Sequence, residues 1–382
     1  MSKTICALVA WNAAAVVFAG VAARGADTPP AFLGANSCAS SSCHGGGGAN
    51  QNQFLVWSLK DFHSQRPPAT LATARSKQIA DALNIKDATS DARCTVCHAP
   101  LNSVPENLRG KDFKVSEGVS CESCHGPAEN WIRSHSRTDY TRDDRTAVGM
   151  RDLQNLYVRA NVCVACHQNV DADILKAGHP ELIFELDGQS VAEPKHWRAE
   201  KNGNGAQAWL VGQAVALREM SWQLVQSHGM ADLSQRLTET NLVDRIFAVS
   251  WVLRKATADE SSVQRFPEDF ESIQSWADTL AREKADAVWS EPMTRACLTR
   301  LAGLASSFSG DPIRRSLQAR RAECLVLALD RTVAALPELK NNAPLQSALN
   351  QLFQLAQSVP DFDPKQFADA LQQFSTALPA QP

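Results

Sequence analysis

Three copies of Cys-x-x-Cys-His and one stretched Cys-x-x-x-x-Cys-His lie within residues 38–167. The regular runs are Cys94-Thr-Val-Cys97-His98, Cys121-Glu-Ser-Cys124-His125 and Cys163-Val-Ala-Cys166-His167; the stretched one is Cys38-Ala-Ser-Ser-Ser-Cys43-His44. With 11 cysteines and 9 histidines in 382 residues, chance supplies about 0.01 such pentapeptides, so three are no accident. Two thiols a helical turn apart can each add to one vinyl group of the same porphyrin. The next residue, His, then meets one face of the ring and ligates the iron. Zinc knuckles or disulfides explain paired cysteines but not a His after every second one. The spacing therefore predicts four covalently bound haem c groups, held by Cys38, Cys43, Cys94, Cys97, Cys121, Cys124, Cys163 and Cys166. Their proximal ligands are His44, His98, His125 and His167. At Cys38 and Cys43 a disulfide or a plain thiol pair stays as the alternative.

The remaining cysteines are Cys6, Cys297 and Cys324. Cys297 and Cys324 flank Ser-Gly-Asp311-Pro312, which reads as a connection between two helices, so an antiparallel pair could join them in a disulfide. Cys6 belongs to an apolar run from Ile5 to Ala23 that follows Lys3 and ends on small residues, with Val21-Ala22-Ala23 as a cleavage site. This reads as an export signal, with an uncleaved membrane anchor as the alternative. Export fits the haem motifs, because bacterial c-type haem is attached outside the cytoplasmic membrane. The expected location is periplasmic. A net charge of −3 offers no basic surface for nucleic acid; donor and acceptor redox proteins are the expected partners.

The chain divides into a signal at 1–23, a linker at 24–36, a haem segment at 37–204 and a helical segment at 205–382. Lys201-Asn-Gly-Asn-Gly205 marks the boundary. The haem segment holds eight of the nine histidines and few long apolar periodic runs. Helices are suggested at 50–63 and 69–84, with shorter ones at the motifs. Four flat apolar cofactors would supply the core that side chains do not. Gly45–Gly48 lacks the Lys-Ser/Thr of a phosphate loop and reads as a tight turn. Beyond 205, helical periodicity covers Gln207–His228, Leu233–Lys255, Asp269–Trp289, Pro292–Phe308, Pro312–Leu336, Leu345–Ser358 and Pro364–Leu378. Trp209, Trp222, Trp251, Trp276 and Trp289 read as its core. The fold class is mainly α: a loop-rich tetrahaem domain with short helices packed on haems, then an all-α helical domain.

Each iron has a second axial position. Four histidines of the haem segment lie outside the motifs: His63, His135, His179 and His196. Met150 is the only methionine there. Four motifs and four spare histidines point to bis-His ligation. His179 sits in Ala177-Gly178-His179-Pro180, a turn that presents the ring. His228 ends a helix before Gly229 and reads as structural.

The run Gly118-Val-Ser-Cys121-Glu-Ser-Cys124-His125-Gly126-Pro127, then His135, resembles the tetrahaem cytochromes c that take electrons from hydroxylamine oxidoreductase in nitrifying bacteria, the cytochrome c-554 family. The first motif followed by Trp57 and His63 is similar as well. The resemblance covers about residues 36–167 and not the helical tail. It implies a mostly α fold with closely stacked haems. It also implies that His135 completes the first haem (His44), His63 the fourth (His167), and His179 or His196 the third (His125). In that family the second haem (His98) lacks a distal protein ligand. Here the first motif is longer, and one more His is present than three bis-His haems need.

The expected function is electron transfer between redox partners along stacked porphyrins, with no acid/base apparatus. The alternative is a reductase or oxidase of a small nitrogen or sulfur species at one open haem, with Arg133, Arg137, Arg142, Arg145, Lys195 and Arg198 steering an anion. A third reading makes the helical tail a docking element for a partner enzyme.

Overall fold

The computed structural model describes residues 28–48, 51–197, 204–227, 233–258, 269–308, 314–357 and 361–379. The export signal, Cys6, His228, Arg198, residues 201–203 of the boundary and Asp311-Pro312 lie outside them. The described residues form helices and no strand; one isolated parallel bridge joins Phe32 to Arg109. None of the helices is long and apolar enough to cross a membrane.

In the first half the helices are short, and each start has a local cause. Asp61 ends Gln53–Lys60 and caps Phe62–Leu71, its carboxylate accepting from the His63 amide. Thr73 caps Ala74–Ala82 through the Ser76 amide. The single helix expected over 69–84 is therefore two elements. Phe62–Leu71 contains Pro67 and Pro68, and prolines there leave the carbonyls one turn earlier without their helical donors. One of these, His63 O, accepts instead from Val119 N at 3.0 Å, immediately before the third motif. The separate apolar cluster of this half comprises only Leu71, Ala80, Ile85 and Ala88.

The second half has the opposite character. Gly205–Ser227 is buried nearly all round, as a central helix must be. It packs against Leu156–His167, Leu186–Ala192, Leu233–Thr257, Phe270–Asp286 and Arg315–Ala334. Ala343–Ala356 and Pro364–Ala377 each turn one apolar face, including Leu349, Phe367 and Phe374, to the same core. Asp363 followed by Pro364 starts the last helix as expected, its carboxylate accepting from the Lys365 and Gln366 amides. Pro292–Phe308 is not one helix: Glu291–Ala302 ends at Gly303, and Ala305–Phe308 is a 3-10 turn. Trp209 is fully buried in the core, but Trp222 lies on the outward face of its helix at 39% exposure, contrary to the core reading. Cys297 and Cys324 are both free thiols, so the expected disulfide is absent. Burial pushes each of them up to about 12.

The tail core reaches back into the haem segment. Ala160, Val164, Phe184 and Leu186 belong to it, so the helix carrying the fourth motif packs as part of the bundle. Polar contacts fix that helix in place. Tyr157 donates to Asp278 at 2.6 Å, and Arg218 donates to Asp278 at 2.7 Å and to Asn161 at 2.5 Å. Burial alone would raise the Asp278 carboxyl, but hydrogen bonds from Tyr157, Arg282 and Arg218 outweigh it and hold it at about 2, against an ordinary 3.8. A depressed folded-state value means stability present above pH 3.8 and lost as pH falls through 2. With Asp278 29% exposed, Asp278→Asn is expected to cost about 1–2 kcal/mol at pH 7 after screening. The loss should vanish toward pH 2. Denaturant melts of both proteins at pH 7 and pH 2 read this; an equal loss at both pH values would contradict the assignment.

Candidate functional site

The three regular motifs lie at helix ends. Ala92–His98, Cys121–His125 and Leu156–His167 each close on the motif histidine. Asp91, Ser120 and Asn155 supply the N-caps. The stretched first motif begins on the last residue of a 3-10 turn, Ala35–Cys38, and closes by hydrogen bonds from Cys43 N to Ser40 O and from His44 N to Cys38 O. Two extra residues thus make a loop rather than a helical turn.

Gly118 shows why the third motif sits where it does. Its φ is +71°, and a Cβ there would lie 2.8 Å from His63 O and 2.7 Å from Ser64 O. Only glycine permits both the left-handed backbone and the approach that lets Val119 N reach His63 O. Gly118→Ala is expected to destabilise the folded protein by about 1–3 kcal/mol. Thermal melting reads this, and an unchanged midpoint would contradict the packing argument.

Three motif histidines face a histidine from outside the motifs. The ring centroids of His44 and His135 are 6.0 Å apart, those of His63 and His167 6.0 Å, and those of His98 and His179 6.5 Å. Two metal–imidazole bonds of about 2 Å, plus about 1 Å from each bonded nitrogen to its ring centre, put such centroids about 6 Å apart. The residues present therefore fit a metal held between two imidazoles at each pair. The first two pairs are those implied by the resemblance. The third is not: His179 faces His98 rather than His125. Arg75 holds the His179 turn by donating to Gly178 O through Nη2 at 2.7 Å. Gly178, at φ +109°, makes the turn.

His125 is fully enclosed, and burial, then the charges of His196, His44, Arg151 and His135, push it down to about 4. Of the neighbouring imidazoles, His196 acts on it most strongly. His196 sits beside Glu193 and Asp61, the three offering donor atoms within 4.8 Å of one another.

The cysteines show how the motifs meet. The thiol of Cys38 in the first lies beside Cys121 of the third, and that of Cys97 in the second lies beside Cys166 of the fourth, with Cys97 Sγ 4.0 Å from Ala165 O. Cys124 of the third is pushed up to about 12 by burial and by the charge of Cys163 in the fourth. The motifs thus follow one another in space in the order first, third, fourth, second.

Carboxylates not singled out by the sequence reading organise the site. Glu122, inside the third motif and buried, accepts from Leu33 N at 2.9 Å, Gly34 N at 2.7 Å and Ala128 N at 2.7 Å. Glu117 accepts from Ala35 N at 3.0 Å. Together they fasten the segment before the first motif onto the third. Asp61 accepts from His63 Nδ1 at 3.1 Å. Its cap position before Phe62 was the one signal that could have revealed it. Arg137 and Arg142 pair with Asp139 and Asp152, and Arg145 donates to His135 O at 3.2 Å. These three arginines of the anion-steering reading are engaged within the protein.

Residues 37–126 match the family model described as cytochrome c554 and c-prime. No curated protein and no solved structure matches the chain significantly.

Proposed function

We propose, from the premise that this chain is a cytochrome c resembling c554 with covalently bound haem c in an electron-transfer role, that it is an exported four-haem electron carrier. Its location would be periplasmic, and its donor and acceptor would be redox proteins. The observation that carries the reading is the set of three histidine pairs at 6.0–6.5 Å, each joining a motif histidine to one from outside the motifs. When bound, the haems supply one-electron chemistry at iron.

The chain's own residues do the rest. His44 with His135, His98 with His179, and His167 with His63 would each hold one iron between them, and His196 would be the second ligand at His125. Backbone carbonyls hold several of these rings by Nδ1: Pro67 O holds His98 at 2.9 Å, Trp131 O holds His135 at 3.1 Å, and Pro180 O holds His179 at 2.8 Å. Such hydrogen bonds fix the tautomer that leaves Nε2 free to ligate. The neighbouring cysteines support attachment sites that would follow one another in the order first, third, fourth, second. The helical tail clamps the segment bearing the fourth motif through its shared core.

The alternative, reduction or oxidation of a small nitrogen or sulfur species, needs an iron with a free axial face. His179 faces His98 at 6.5 Å and would close that iron, where the family resemblance implies an opening. Reductive titration of the haem-loaded protein tests the proposal. Uptake of four electrons per chain, with no carbon monoxide adduct in the reduced form, is the expected result. A wild-type adduct, or fewer than four electrons, would overturn it.

A further inference from the structure

Seven of the eight histidines of the haem segment can be compared by what their Nδ1 meets. Pro67, Trp131, Pro180 and Pro194 carbonyls serve His98, His135, His179 and His196. The Gln53 side chain serves His44 at 3.0 Å. The Nδ1 of His125 is buried with no hydrogen-bond partner. Only His63, among the described residues, has a carboxylate at hydrogen-bond distance, Asp61 Oδ1 at 3.1 Å, with the Asp61 side chain 2% exposed. The nearest comparable contact, His196 Nδ1 to Glu193 at 3.9 Å, is beyond hydrogen-bond range.

We infer that Asp61 is a positioning residue that makes the haem held by His63 and His167 the lowest-potential site of the chain. The inference rests on the bis-His reading above. A carboxylate that accepts the Nδ1 proton draws it away from the ring and strengthens donation from Nε2 to the metal. Stronger donation favours ferric over ferrous iron. The fixed negative charge acts in the same direction, and burial keeps water from screening it. A carbonyl or amide acceptor polarises the ring less and brings no net charge. With haem bound there, Asp61 would act on a one-electron exchange with a neighbouring haem, in which no bond breaks. The fourth site lies inside the row, between the third and the second. Asp61 therefore places a low-potential step in the interior of the path rather than at either end.

Asp61→Asn tests this in the full haem-loaded chain. Asn caps a helix as well as Asp does, and its Oδ1 can still accept from His63 Nδ1, so the ring stays in place while the charge goes. In a spectroelectrochemical titration, the most negative of the four components should rise. A tenfold gain in its reduction equilibrium, which is about 59 mV for one electron, is the size expected. The component of the haem at His125 should rise by less, because His196 lies within 4.8 Å of Asp61; the other two should stay, and the spectrum should remain low-spin. Asp61→Ser, which also keeps a cap, should give the same direction if the Asn variant fails to fold. An unmoved most-negative component, or a shift confined to another component, would overturn the inference. His63→Ala separates the two levels of the argument: if it leaves the spectrum low-spin, the ligand reading itself fails. If it opens one haem while Asp61→Asn shifts nothing, only the role of Asp61 fails.

Discussion

His179→Ala should convert about one haem in four from low-spin to high-spin and make it bind carbon monoxide when reduced. His179 is the only imidazole in ring contact with His98 among the described residues, at 6.5 Å. Its turn is held from outside by Arg75 on Gly178 O and by the Arg93–Asp173 ion pair just before it. The turn belongs to a stretch of half-buried and exposed residues after Ala172–Lys176, and Glu181 just beyond it is anchored to the tail by Arg245 and Arg320. Removing the ring should therefore open the iron without unfolding the chain. The other three sites draw their second ligands from other segments and should keep their spectra. Optical spectra with carbon monoxide decide this. A variant that stays wholly low-spin would show that His179 does not ligate, and the second haem would have to be closed by another group.

Made without haem attachment, the chain should keep the helical tail and lose the segment from 28 to about 155. The reason is the distribution of buried apolar surface. The tail core gathers residues from Ala160 to Phe374 around one central helix. The haem segment has one small separate cluster, Leu71, Ala80, Ile85 and Ala88. Ordering each residue costs about 1–2 kcal/mol of backbone entropy, and that cluster cannot offset it for more than a hundred residues. Porphyrins bound between the helices would supply the missing area. Limited proteolysis of the haem-free chain should leave a protected fragment that begins near Leu156, since the 156–167 helix shares the tail core. Circular dichroism should show reduced but substantial helix. Equal protection of both halves would contradict the idea that the cofactors are the core of the first half.

The part of this architecture legible in sequence is the part set by local chemistry. Cys-x-x-Cys-His needs no tertiary context to be read, and the tail helices announce themselves by periodicity and by caps such as Asp363-Pro364. The split near Thr73 and the end of a helix at Ala302 were not legible, because apolar periodicity runs on across a cap or a glycine. The pairing of His179 with His98 was not legible either. It depends on a turn that Arg75 holds from 103 residues away in sequence. Asp61, Glu117 and Glu122 carry no motif of their own; their role arises only when folding buries them beside a ring or a row of amides. Trp222 looked like core because apolar residues recur on most faces of its helix, and only packing decides which face of such a helix stays wet.

The central claim is that four motif histidines and four others close four irons. Electron paramagnetic resonance of the oxidised, haem-loaded chain, quantified against its haem content, tests it most directly. The account predicts four haems per chain, all low-spin. A high-spin signal of about one haem in four, or a count below four, would contradict it.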